Sequence, residues 1–200
     1  MNVKRLLLPK KYVPLSPNPL IFLCGPLHAA PKWQQTAAKM IIRKTTDTVV
    51  ISPRFILMDS IPSDYFDDCN YSFTRQRAWE RYYLEKASRY GSILFWLPAV
   101  DSKMNNAKLT YGATTRFELG EWMTRASLDP DINIEIGSDD KFDTIHTIKY
   151  DMQRLLPNHT LHNSIESLVD ASIEKAHKKF ASSKVVDDHI EDIIDLVQNT

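Results

Sequence analysis

The sequence predicts an α/β fold: a doubly wound parallel sheet of five strands with helices on both faces. Three observations carry this. Short continuous apolar runs such as Leu20-Ile21-Phe22-Leu23-Cys24 suit strands buried on both faces. Those runs alternate with stretches of helical period, the pattern of a parallel sheet with crossover helices. No fixed-period repeat points to a solenoid or propeller.

Residues 1–19 hold four prolines and no helical period, and read as an extended arm before a domain over 20–182. The first strand, Leu20 to Cys24, ends at Gly25-Pro26. Pro31 suits the first turn of a helix, and Trp33, Ala37, Met40 and Ile41 follow at helical spacing. Val49-Val50-Ile51 is the second strand, closed by Ser52-Pro53-Arg54. A loop of roughly twenty residues comes next, a length uncommon unless functional, and it carries Asp59, Asp64, Asp67 and Asp68. Trp79, Tyr82, Tyr83, Ala87 and Tyr90 mark a helix face, and Ile93 to Leu97 is the third strand, stopped by Pro98. Leu119, Trp122, Met123 and Ala126 make the next helical stripe. Ile132, Ile134 and Ile136 alternate as a fourth strand, and a fifth is expected near Thr160-Leu161-His162. Helices are expected through Ile145–Leu155 and Ile165–Phe180, followed by an amphipathic helix within 183–200.

Composition narrows the function. Lys+Arg 25 balances Asp+Glu 25, which disfavours a nucleic-acid polymer or a polybasic membrane surface as partner. No apolar run approaches the length of a membrane span, and the N-terminal apolar stretch is too short for a signal-peptide core. With two cysteines and no Cys-x-x-Cys pair, a reducing cytoplasmic setting is expected. A chain with five glycines and no Gly-x-Gly-x-x-Gly or Walker loop is a poor dinucleotide or triphosphate binder of those kinds. No cofactor and no metal are expected. His159 and His162 read as surface residues without an acid partner at ligand spacing.

In such a sheet ligands bind beyond the carboxyl ends of the strands. Gly25-Pro26, Pro53-Arg54 and Pro98 lie there, and the helix carrying Thr115 to Ala126 begins beside them. Thr115-x-x-Glu118 matches a capping box, in which Glu118 reaches back to a backbone N–H. The same placement, in a first helical turn, would also keep a carboxylate ionised, as a glycosyl-transfer nucleophile must be. The four tryptophans read first as core, with Trp96 at a strand's carboxyl end the exception.

Six segments in order carry a resemblance: Phe22-Leu23-Cys24-Gly25-Pro26, Ile51-Ser52-Pro53-Arg54, Gln76-x-x-Trp79-Glu80, Phe95-Trp96-Leu97-Pro98, Phe117-Glu118-Leu119-Gly120 and Ile136-Gly137-Ser138-Asp139. Over about residues 20 to 180 the chain resembles the nucleoside 2-deoxyribosyltransferase-like family. The resemblance implies a flavodoxin-like sheet and cleavage of the N-glycosidic bond of a nucleoside or nucleoside monophosphate. It makes Glu118 the nucleophile and implies a substrate-binding set of Cys24, Gly25, Pro26, Arg54, Asp59, Trp79, Glu80, Trp96, Pro98 and Thr115. Within that set, Gly25-Pro26 would line the sugar and its 5′ group, and Trp96 and Pro98 the base. A homo-oligomer is expected from the relatives.

Two family aspartates are missing. Many relatives have an Ala-Asp pair just before the third strand, where this chain reads Ala87-Ser88-Arg89-Tyr90-Gly91-Ser92, and Gly112 stands six residues before the nucleophile, where transferases have another aspartate. The second carboxylate must then come from elsewhere, with Asp59 and Glu80 the nearest by topology. A nucleotide-binding module without chemistry, or a hydrolase of an NAD-like dinucleotide, are the alternatives.

Overall fold

The computed structural model describes residues 6–7, 18–54, 73–101 and 110–183. Asp59 and its acidic loop, most of the N-terminal arm and the expected helix after 183 lie outside the described residues.

A parallel sheet forms the middle layer. Its body is four strands: β2 (Leu20–Cys24), β3 (Val49–Ile51), β4 (Gly91–Leu97) and β5 (Ile134–Ser138). The two-residue segment β1 (Leu6–Leu7) adds to one edge, giving the order β1-β3-β2-β4-β5, parallel throughout. Every residue of β2, β3, β4 and β5 is buried, as expected of strands covered on both faces.

The predicted fifth strand is not formed. Near Thr160-Leu161-His162 the chain makes a single bridge, His162 to Gly137, through His162 N–H to Ile136 O and Ser138 N–H to His162 O, each at 2.9 Å. The segment is cut short because Ser164 caps the next helix two residues later, accepting from the Ser167 N–H. The strand predicted from Ile132 begins two residues further on, at Ile134.

Alternation along the strands sorts the core into two. Leu20, Phe22, Cys24, Ile93, Phe95, Ile134 and Ile136 face α2 (Phe73–Tyr90), α3 (Ala113–Leu128) and α4 (Ile145–Leu155). Ile21, Leu23, Val50, Leu94 and Trp96 face α1 (Trp33–Lys44) and α5 (Ile165–Ser182). On the first face Trp79 is fully buried, 4.9 Å from Tyr83 and 6.4 Å from Phe22 between ring centroids. Tilted aromatic pairs of this kind each add about 0.5–1.5 kcal/mol beyond area burial.

His162 is not the free surface residue expected from sequence. Its Nε2 lies 2.8 Å from Oε2 of Glu135, a β5 carboxylate buried on the α5 face, which also pairs with Lys175 of α5. A buried carboxylate on a strand needs such partners, and Lys175 of α5 and His162 at the bridge supply them.

Candidate functional site

The carboxyl end of β2 sets the site. Gly25 turns the chain there at φ +154°, and a Cβ on it would stand 2.4 Å from the Trp96 carbonyl oxygen and 2.7 Å from a Trp33 ring carbon. Only glycine fits such an approach. The turn points the Pro26 carbonyl at α1, where it accepts from Trp33 Nε1 at 3.2 Å and Gln34 Nε2 at 3.1 Å.

Beside it α3 begins. Its N-cap is Gly112, left-handed at φ +64° and pressed against Phe142 and Pro26. Arg116 secures the entry: its guanidinium donates to the Tyr111 carbonyl and to Thr144 Oγ1 at 3.2 Å, and lies over the Phe142 ring. Tyr111 O–H in turn donates to Pro98 O at 2.9 Å, joining α3's start to the end of β4.

This start corrects the capping-box reading. No side chain caps α3; Thr115 is a buried residue inside the helix, and Glu118 lies in its second turn, with no acidic residue in the first. Phe117, next to it, is 82% exposed, while the Glu118 side chain turns inward and keeps 12% of its surface.

Glu118 meets two partners distant in sequence. Its Oε2 accepts from the Cys24 thiol at 3.2 Å, and its Oε1 accepts from Nη1 of Arg77 on α2. The same Nη1 donates to Oε2 of Glu80 at 2.6 Å, and Gln76 Nε2 donates to Glu80 Oε1 at 2.9 Å. Two carboxylates thus share one guanidinium nitrogen, and two hydrogen-bond lengths bound their separation.

Burial shapes the charges here. It pushes the Glu80 carboxyl above the usual carboxylate range, with the Glu118 charge adding to the push and Gln76 and Arg77 opposing it. The Cys24 thiol is held well above its ordinary value by burial and by the neighbouring Glu118 carboxylate, so it remains an S–H donor. Burial works against the Arg77 charge, but the bonds and charges of Glu118 and Glu80 outweigh it and raise the guanidinium's value.

Cys24, Glu80 and Glu118 therefore come together, Gly25 and Pro26 follow Cys24 in the chain, and Thr115 lies buried one turn before Glu118. Other expected site residues sit apart. Arg54 turns to the start of α1, with Nη1 donating to Pro31 O at 3.2 Å and Gln34 Oε1 at 3.4 Å. Trp79 is core, fully covered against Phe22 and Tyr83, with no surface to offer a ligand. The Trp96 ring belongs to the core on the α1–α5 face, against Gly137, so its carbonyl and not its ring reaches the site. Pro98 is buried, its carbonyl taken by Tyr111.

Sequence reasoning missed Arg77. The signal is a charge register: Arg77, Arg81 and Glu85 recur every fourth residue on α2, opposite Glu118, Glu121 and Arg125 on α3. The three pairs form, with Arg81 Nη1 3.3 Å from Glu121 and Arg125 Nη2 2.9 Å from Glu85. Among the described residues no group of three His, Cys, Asp or Glu is arranged to hold a metal ion, and no helix is long and apolar enough to cross a membrane. No protein-family model matches the chain, and no curated protein matches it significantly.

Proposed function

We propose that this chain cleaves or transfers the N-glycosidic bond of a nucleoside or nucleoside monophosphate, with Glu118 as nucleophile and Glu80 as the acid and base. The observation that carries the reading is the pair of nearly water-free carboxylates held by one Arg77 nitrogen beside the β2 carboxyl end. Carboxyl groups about 5–5.5 Å apart belong to covalent, retaining glycosyl chemistry, and one shared nitrogen is compatible with that range. A strand order of β3-β2-β4-β5 is compatible with a flavodoxin-like sheet, whose ligands sit at the switch between its first strands.

In this reading a Glu118 oxygen attacks the anomeric carbon as the C–N bond breaks and its electron pair leaves with the base. Glu80, whose proton burial helps retain, protonates that base. Water or a second base then attacks the glycosyl ester, giving its proton to Glu80 and freeing the Glu118 carboxylate.

A second reading, a nucleotide-binding module without chemistry, is favoured by one observation: both Glu118 oxygens are already engaged, by Cys24 and by Arg77. Each carboxylate oxygen has a second lone pair, so engagement does not block attack. Incubation with nucleosides, nucleoside monophosphates and NAD, followed by chromatography for free base, separates the readings. Release from a nucleoside or monophosphate supports the proposal. Release from NAD alone makes the chain a dinucleotide hydrolase. Ligand-dependent stabilisation with no release from any of them leaves the binding module.

A further inference from the structure

Arg77 is the one cation in contact with both carboxylates among the described residues, and it is absent from the motif that marks its helix, Gln76-x-x-Trp79-Glu80. Its position is set by the fold. Trp79 is anchored in the core, so α2 cannot rotate, and residues 76, 77 and 80 are left on the edge that overlooks Glu118. The next pair along the two helices, Arg81 with Glu121, falls in the same register.

We propose that Arg77 is a positioning residue that fixes the Glu118 carboxylate and couples it to Glu80, so that the two carboxyl groups titrate as one pair. This rests on the reading of Glu118 as nucleophile. The geometry is a guanidinium nitrogen placed between two carboxylates whose side chains are 12% and 8% exposed, where water screens little. The groups facing Glu118 are Cys24 from β2 and Arg77 and Glu80 from α2. Facing Glu80 are Gln76, Arg77 and Glu118. Cys24 and Gln76 are neutral donors, so among these described contacts Arg77 supplies the positive charge to the pair. Arg77 holds the Glu118 carboxylate in one rotamer, while burial favours a proton on Glu80. Ionising Glu80 adds a like charge beside Glu118, and each carboxyl therefore senses the other's proton.

The test is a carboxyl titration by nuclear magnetic resonance on the full chain carrying ¹³C-labelled glutamate. The Glu118 and Glu80 signals are assigned from Glu118→Gln and Glu80→Gln. Arg77→Gln should raise both midpoints, by about 1 pH unit or more, because an adjacent opposite charge lowers a carboxyl by about 1–3 units. Arg77→Lys, which keeps the charge, should move them less. Glu80→Gln should lower the Glu118 midpoint, since a negative neighbour is removed; this arm does not depend on Arg77→Gln folding. Unchanged midpoints in folded Arg77→Gln, or an unchanged Glu118 midpoint in Glu80→Gln, overturn the proposal. Where base is released, both limbs of the pH–rate profile should move upward in Arg77→Gln; a lower rate at every pH with unmoved limbs means mere structural support and also overturns it. Absence of base release in the wild type defeats the proposed function instead, and the titration still decides the coupling.

Discussion

Two glycines near the nucleophile should respond oppositely to the same added methyl. At Gly25 a Cβ would stand 2.4 Å from the Trp96 carbonyl oxygen and 2.7 Å from the Trp33 ring, at a φ of +154°. The carbonyl belongs to β4, paired directly with β2, and cannot withdraw without opening the sheet. Backbone strain of this kind costs about 1–3 kcal/mol and overpacking about 1–3 kcal/mol, so Gly25→Ala should lose roughly 2–6 kcal/mol. Gly120, in the second turn of α3, has nothing within 4 Å of its would-be Cβ. There alanine is the better helix former by about 0.8–1.0 kcal/mol, so Gly120→Ala should stabilise. Urea unfolding reads both. With a slope of about 2–3 kcal/mol per molar for a chain of this size, the Gly25→Ala midpoint should fall by about 0.7–3 M and that of Gly120→Ala rise by about 0.3–0.5 M. The reasoning fails if Gly25→Ala unfolds no earlier than the wild type, or if Gly120→Ala unfolds earlier than it does.

Two further outcomes follow from the same packing. Trp79→Ala empties a fully buried site between Phe22 and Tyr83 and should cost about 3–5 kcal/mol; an unfolding midpoint equal to the wild type would remove Trp79 from the core. Cys24, buried and held as a protonated thiol, should resist iodoacetamide at pH 8 in the native protein and react once urea is added, as peptide mass spectrometry can follow; rapid native labelling would contradict its placement against Glu118.

What the sequence disclosed depended on how local each signal was. Leu20–Cys24 and Val49–Ile51 were legible because a strand covered on both faces is apolar at every position. The stripe of Leu119, Trp122, Met123 and Ala126 was legible because one helix face meets the sheet. The segment at His162 has strand-like residues but too few before the Ser164 cap to pair more than once. Thr115-x-x-Glu118 matched a cap by spacing alone; the left-handed Gly112, wedged by Phe142, starts the helix earlier and puts Glu118 a turn deeper. The partners that define Glu118 are 94 and 41 residues away, Cys24 and Arg77, and no local pattern reports such contacts. Arg77 itself reads in sequence as one more charge on the wet side of an amphipathic helix. Trp96 fell on the other face because strand alternation sends it opposite Phe95, a consequence the strand's period already contained.

Glu118→Gln tests the central claim most directly. The substitution keeps the shape and one acceptor for Arg77, turns an amide NH₂ toward the Cys24 sulfur in place of the other oxygen, and cannot form a glycosyl ester. The measurement is the rate of free-base release from the nucleoside or monophosphate that the wild type turns over, with folding of both proteins checked by circular dichroism. The expected result is a folded variant whose release falls by a factor of about 10³ or more, equivalent to about 4 kcal/mol or more of lost transition-state stabilisation. Release at or near the wild-type rate from folded Glu118→Gln would contradict the assignment of Glu118 as the nucleophile.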